Sequence, residues 1–505
     1  MMNKPAIYTL GQLKASGYQS RSVKEEIRQN LIDKLQSKTP AFPGILGYEN
    51  TVIPELETAV LSRHNILLLG LRGQAKTRIA RQMLSLLDEW IPVVSGSEIN
   101  DDPLQPISRY ARELVAEKGD ETPVDWLHRN ERYSEKLATP DVSVADLIGD
   151  IDPIKAANLK LHFGDERVMH YGIIPRSHRG LFVINELPDL QARIQVALFN
   201  ILQEGDVQIR GFKLRMPLDI MFVFTANPED YTNRGSIVTP LKDRIESQIM
   251  THYPASVEIS ERITAQEAHL HPDQQGIIVP RLCSRLVEQV AMEARHSEFV
   301  DQKSGVSARL TISAYENMVS YAERRSIING DANTQVRIAD LNGVVAAITG
   351  KIELVYEGEQ EGALPVAQKL ISQAIKTVFL ETFPDPDDFK RKRKDIEGLL
   401  NVYQPVIDWF SKGNVLELLW DSNDRNYTQA LGKVDGLVDL VRTYVPDAEV
   451  AEMSIWMEFV LHGMSACSLI SKQSFGGAND RFADILGSML NMDMGSFEDW
   501  EEEDM

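Results

Sequence analysis

Cysteine is nearly absent: Cys283 and Cys467 alone occur in 505 residues, far apart and with no His/Cys cluster beside either. That excludes a disulfide-stapled scaffold and a cysteine-based zinc site, and it fits a reducing compartment with both thiols as small buried apolar groups. Long apolar runs are missing too. No stretch approaches the ~20 residues that span a bilayer, and the N-terminus lacks a continuous apolar segment, so a cytoplasmic location without membrane insertion is expected. Basic charge is in deficit: 53 Lys and Arg against 74 Asp and Glu leave a net charge of -21, which works against attraction to nucleic acid or anionic lipid. No direct nucleic-acid partner is expected.

What is present is ample apolar content, 43%, in a chain long enough for more than one core. Residues 1–41 read as a polar, helix-prone segment. Residues 42–254 alternate short apolar strands with amphipathic helices, the pattern of an α/β domain with a central, largely parallel sheet. The strand candidates "NILLLG", "GLFVINE" and "DIMFVFTAN" each end in polar residues, as when a buried strand carries side chains to a site at its C-terminal edge. Between them, the charge-dense "ISRYARELVAEKGDETPVDWLHRNERYSEKL" reads as a helical excursion on the surface. Helical spacing then takes over. Residues 255–383 are expected to form an all-helical lid and 384–505 a C-terminal helical region, whose tail "FEDWEEEDM" is too acidic to bury.

The stretch "GLRGQAKT" lies between the first strand and an amphipathic helix. Gly70, Lys76 and Thr77 stand at the spacing of a phosphate-binding loop, GxxxxGK[ST], with Gly73 inside it and Ala75 where the second glycine usually sits. In such a loop, backbone N–H groups curl around the phosphates of ATP, the lysine reaches the β and γ oxygens, and the hydroxyl ligates Mg²⁺. The segment from Gly70 through Gln74 and Ala75 to Arg78 is the candidate cradle. An alanine at 75 is compatible with right-handed helical dihedrals, so the loop is expected to survive if that residue needs no positive φ.

"GLFVINELPDL" ends its apolar run in Asn185 and Glu186. Phosphate-loop ATPases present an aspartate and then a glutamate here, the first holding the Mg²⁺ shell and the second polarising the attacking water. The glutamate is present, but an amide replaces the aspartate and lacks the charge that favours a divalent cation, so weaker Mg²⁺ binding or slower hydrolysis is expected. Asn227, at the end of "DIMFVFTAN", is a candidate for placing the lytic water. Arg244 in "TPLKDRIES" and Arg309 in "GVSARLTISAYENM" are candidate phosphate-binding cations, because a guanidinium is permanently charged and its fork fits phosphate.

Taken in order, Lys76 and Thr77, Asn185 and Glu186, Asn227, Arg244 and Arg309 resemble the AAA+ ATPases, specifically the magnesium chelatase I-subunit and MoxR-like branch. The likeness runs from about Phe42 through Tyr356 and is most specific between Tyr171 and Pro254. "FPGILGYENT", with Gly47 and Tyr48, resembles the entry segment whose backbone contacts adenine. The resemblance implies a homo-oligomeric, usually hexameric ring with ATP at subunit boundaries and Arg244 acting in trans. It also implies Arg309 acting within its own subunit, inserted hairpins in residues 150–172 and 206–217, and Arg176 or Arg179 facing the neighbouring subunit. Family members commonly work with a partner carrying a von Willebrand factor A domain, which they remodel or load with metal. Two readings follow: an ATP-hydrolysing ring of this kind, and a slowly or non-hydrolysing scaffold ring, which Asn185 favours. A DNA-acting motor of the same clade is disfavoured by the acidic charge and by the lack of a helix-turn-helix signal.

Overall fold

The three apolar runs become parallel neighbours. The computed structural model describes residues 4–161, 165–208, 215–228, 236–331, 334–388, 402–475 and 479–485, and divides into two units, Met1–Tyr253 and Pro254–Met505. In the first unit a five-stranded sheet runs in the order Ser247–Met250, Ile66–Leu69, Ile220–Ala226, Gly180–Asn185, Tyr133–Leu137, with every pairing parallel. Side chains alternate across it. Ile66, Leu68, Val183 and Val223 pack on one face with Ile27 and Leu31 of the helix Val23–Gln36, Leu56 of Val52–Leu61 and Ile79 of Lys76–Gln82. Leu67, Leu69, Phe182, Ile184, Phe222 and Phe224 pack on the other with Ile194 and Leu198 of the helix Ala192–Glu204. Strands buried on both faces read as continuous apolar runs, which is why these three were visible in the sequence.

The charged stretch before them is not a helical excursion throughout. Only Arg109–Lys118 is an α-helix of ordinary length; Val124–His128 pairs antiparallel with Trp90–Val94, and Tyr133–Leu137 joins the central sheet as its edge strand. The edge position explains the misreading. "YSEKL" is half-buried along most of its length and carries no apolar run.

The N-terminal helix Val23–Gln36 is tied into this unit by more than apolar contact. Glu26, 4% exposed, receives two N–H bonds from Arg132 at 2.7 Å each, and Arg132, 2% exposed, also donates to the Arg179 carbonyl at 2.8 Å. Within the segments named above as inserts, Gly149–Ile151 pairs antiparallel with Met169–Tyr171, and Asp206–Gln208 with Arg215–Pro217. Residues 162–164 and 209–214 of those inserts lie outside the described residues, as do 229–235 after Asn227, 389–401, and the acidic tail.

In the second unit the helices Arg281–His296, Arg309–Asn329, Ala363–Thr382 and Met453–Ala466 share one core that runs from Leu282 to Phe482. Gly463 permits the close approach of two of them, since a Cβ there would stand 2.2 Å from the Phe379 ring. The helical reading of this half omitted a small antiparallel sheet, ordered Leu416–Leu419, Asn479–Ala483, Ser471–Phe475. Cys283 is buried, which pushes its thiol pKa up, and Cys467 is half-buried. Among the described residues no helix is long and apolar enough to cross a membrane.

Candidate nucleotide-binding site

The loop after Ile66–Leu69 is shaped by what its residues cannot avoid. A Cβ at Gly70 would meet the Thr251 hydroxyl at 2.0 Å and Gln74 Oε1 at 2.2 Å, so glycine leaves these two side chains in place where any other residue would push them aside. Thr251 donates to Gln74 Oε1 at 2.7 Å, the Tyr253 hydroxyl donates to Arg72 O at 3.1 Å, and Tyr48 braces the loop from behind. The Tyr48 hydroxyl lies 2.7 Å from His252 O and 3.1 Å from Gln74 O, its ring meets His252 edge-on, and burial pushes its pKa up to about 12. Beside it, Gly47 turns the entry segment at φ 81°.

Ala75 departs from the expectation. It is left-handed, φ 57° and ψ 13°, following Gly73 at φ 73°. The loop therefore does require a positive φ where glycine is missing, and for alanine that conformation costs about 1 kcal/mol. Ala75→Gly is accordingly expected to raise the unfolding free energy by up to about 1 kcal/mol without loss of nucleotide affinity. A thermal melt in which the glycine variant is no more stable than the wild type would refute this account of the loop.

Lys76, Thr77 and Arg78 open the following helix. The Lys76 ammonium donates to Leu71 O at 2.8 Å, to Gly70 O, and to Asn227 Oδ1 at 2.7 Å, so two residues chosen from separate motifs meet directly. Asn227 is 4% exposed at the end of the strand next to that of Glu186. Glu186 is also left-handed, at φ 56° and ψ 50°, which turns the chain sharply out of the strand. Thr225 holds this turn: its hydroxyl accepts from the Glu186 N–H at 3.1 Å and donates to Asn185 Oδ1 at 3.0 Å. The other end of the amide donates from Nδ2 to Glu135 Oε1 at 2.6 Å. Because a carboxylate only accepts, Glu135 dictates which end of the amide faces which neighbour.

Thr225 and Glu135 both escaped the sequence reading. Thr225 precedes the strand-end motif by two positions and looks like one more β-former. Glu135 lies in the edge strand that had been read as helix.

The remaining candidates are dispersed. Arg244 is half-buried, donates to Gln203 Oε1 at 2.8 and 3.0 Å and to Pro240 O at 2.7 Å, and stacks over Phe199 at 5.1 Å. Arg179 does not face outward: it is 5% exposed, donates to Pro92 O at 2.6 Å and lies 3.5 Å from Asp102, so burial within its own chain rules it out as a surface contact. Arg176 is exposed. Arg309 is the first residue of a helix in the second unit.

The donor set fits a nucleotide and its cation. Left-handed residues curl the loop amides, Lys76 supplies a cation, and the side chains of Thr77, Asn185 and Glu186 carry hard oxygens of the kind that Mg²⁺ takes.

No protein-family model matches the chain. It is 28% identical over 227 residues to the magnesium-chelatase 38 kDa subunit of Rhodobacter capsulatus, covering 43% of this chain and 58% of that protein. It is 24% identical over 238 residues to the magnesium-chelatase 38 kDa subunit of Cereibacter sphaeroides, covering 45% of this chain and 64% of that one. In both cases the match spans less than two thirds of the relative's length. A solved structure of the complex between subunits BchI and BchD of magnesium chelatase is similar at 18% identity, over 63% of this chain and 98% of that one, with a TM-score of 0.32. The chain thus places a phosphate-loop motif at the end of a strand in a five-stranded parallel sheet and is similar, over less than half of its length, to the magnesium-chelatase 38 kDa subunits of two bacteria.

Proposed function

We propose that this chain is an AAA+ protein that hydrolyses ATP with Mg²⁺ as a MoxR-like or chelatase-like ring, usually hexameric and cytoplasmic, and couples turnover to a von Willebrand factor A partner that it remodels or loads with metal. The observation that carries the reading is the 2.7 Å contact between Lys76 and Asn227, beside Glu186 on the next strand. In this reading Lys76 and the loop from Gly70 to Arg78 bind the phosphates, and the entry segment at Gly47 and Tyr48 receives adenine. Glu186 takes the proton of the attacking water and Asn227 orients that water. Thr77 and Asn185 hold Mg²⁺, which when bound neutralises phosphate charge. Arg244 reaches the nucleotide of a neighbouring subunit, exchanging Gln203 for a phosphate oxygen.

Lys76→Ala is expected to weaken binding of a fluorescent ATP analogue by about 10- to 100-fold, the worth of a charge-assisted hydrogen bond or two. Unchanged affinity would remove the phosphate-loop assignment. The scaffold-ring reading is favoured by the amide at Asn185 alone. ATP-dependent assembly in light scattering, with phosphate release no faster than in Glu186→Gln, would establish it instead.

A further inference from the structure

An aspartate at 185 would not sit comfortably in this protein. Glu135 Oε1 lies 2.6 Å from the Asn185 amide nitrogen, and a carboxylate in place of that amide would confront Glu135 with like charge and no proton between them. Asparagine at 185 and glutamate at 135 therefore answer each other across two parallel strands, where Leu137 pairs with Asn185 and Glu135 with Val183.

A second contact ties Glu135 to the phosphate loop. Arg81, on the helix that begins at Lys76, donates to Glu135 Oε2 at 3.0 Å, and Tyr133 donates to the same oxygen at 2.9 Å. Arg81 follows Thr77 by one helical turn, so the two residues lie on one face of that helix, the face from which Arg81 reaches Glu135. Arg81 also donates to Glu135 Oε1 at 3.4 Å, and with its side chain 64% exposed this two-pronged pair sits at the solvent edge, where water screens it. Glu135 itself is 22% exposed.

We propose that Glu135 supplies the negative charge of the divalent-cation shell in this protein, displaced by one strand from position 185. It is a positioning residue, acting through the Asn185 amide, and the inference rests on the ATP and Mg²⁺ reading above. The charge that an AAA+ site needs near its cation is then retained, and Asn185 is a relay between strands.

The test is Mg²⁺ titration of fluorescent-ADP binding, read without turnover, on the wild type, Glu135→Gln, Asn185→Asp and the double variant. Glu135→Gln is expected to raise the half-saturating Mg²⁺ concentration about tenfold, as loss of an outer-shell partner does, while leaving Mg²⁺-free nucleotide binding unchanged. Asn185→Asp alone is expected to bind Mg²⁺ no better than the wild type and to melt at a lower temperature. The double variant, with the charge moved back, recovers Mg²⁺ dependence close to the wild type. Glu135→Asp, which keeps the charge, loses less than Glu135→Gln and guards against a mere folding defect. Unaltered Mg²⁺ dependence in Glu135→Gln, or a double variant no better than Glu135→Gln, overturns the proposal. If Lys76→Ala also leaves Mg²⁺-free binding intact, it is the ATP-site reading that has failed.

Discussion

Glu186→Gln is expected to leave nucleotide binding intact and to lower phosphate release by about 10²- to 10⁴-fold, the range for removing a positioned general base. The substitution changes one atom and keeps the shape, so the Thr225 bond to the backbone N–H of residue 186, which sets the direction of the turn, is preserved. What disappears is the ability to take a proton. Asn227 and Lys76, which meet at 2.7 Å, are untouched, so affinity for ATP should change little. The measurement is single-turnover phosphate release at saturating ATP and Mg²⁺. A variant that retains a tenth or more of the wild-type rate would show that another group accepts the proton.

Arg132→Met is expected to lower stability by about 3–5 kcal/mol, because it strands the Glu26 carboxylate in the interior. Both side chains are almost fully excluded from water, at 1% and 5% exposure, and Glu26 has been committed to this pair and to the Asp88 N–H at 2.6 Å. For a unit of this size that is a fall in melting temperature on the order of 10 °C. Adding Glu26→Gln should recover a large part of the loss, since the buried charge is then gone while the acceptor for Asp88 remains. A single variant that melts within a degree or two of the wild type would mean that water reaches the pair.

What the sequence disclosed and what it withheld follow one physical line. Ile66–Leu69, Gly180–Asn185 and Ile220–Ala226 are enclosed on both faces, so their composition alone announces them. Tyr133–Leu137 has a single neighbour and a half-wet surface, and its "YSEKL" resembles helix as much as strand. The same logic hid the small sheet of the second unit, where Leu416–Leu419 alternates buried and exposed. At the site, residues tied to local motifs were legible: Lys76, Asn185, Glu186 and Asn227. Thr225 and Glu135 matter through contacts across strands, and no local pattern reports which residue a neighbouring strand will bring alongside. Nor could the left-handed turn at Ala75 be read, because loop closure sets that dihedral, whatever the residue prefers. Arg179 resembled a surface arginine until its burial beside Asp102 was seen.

The crowding around Gly70 also limits how this corner of the protein can change by descent. A side chain at 70 has no room while Thr251 and Gln74 keep their size, and these two are bonded to each other at 2.7 Å. A substitution at 70 therefore requires the Thr251 hydroxyl to turn away and the Gln74 amide to swing aside, which breaks the bond between them. What position 70 accepts is in this way coupled to residue 251, far away in sequence, through the side chain that both approach at Gln74.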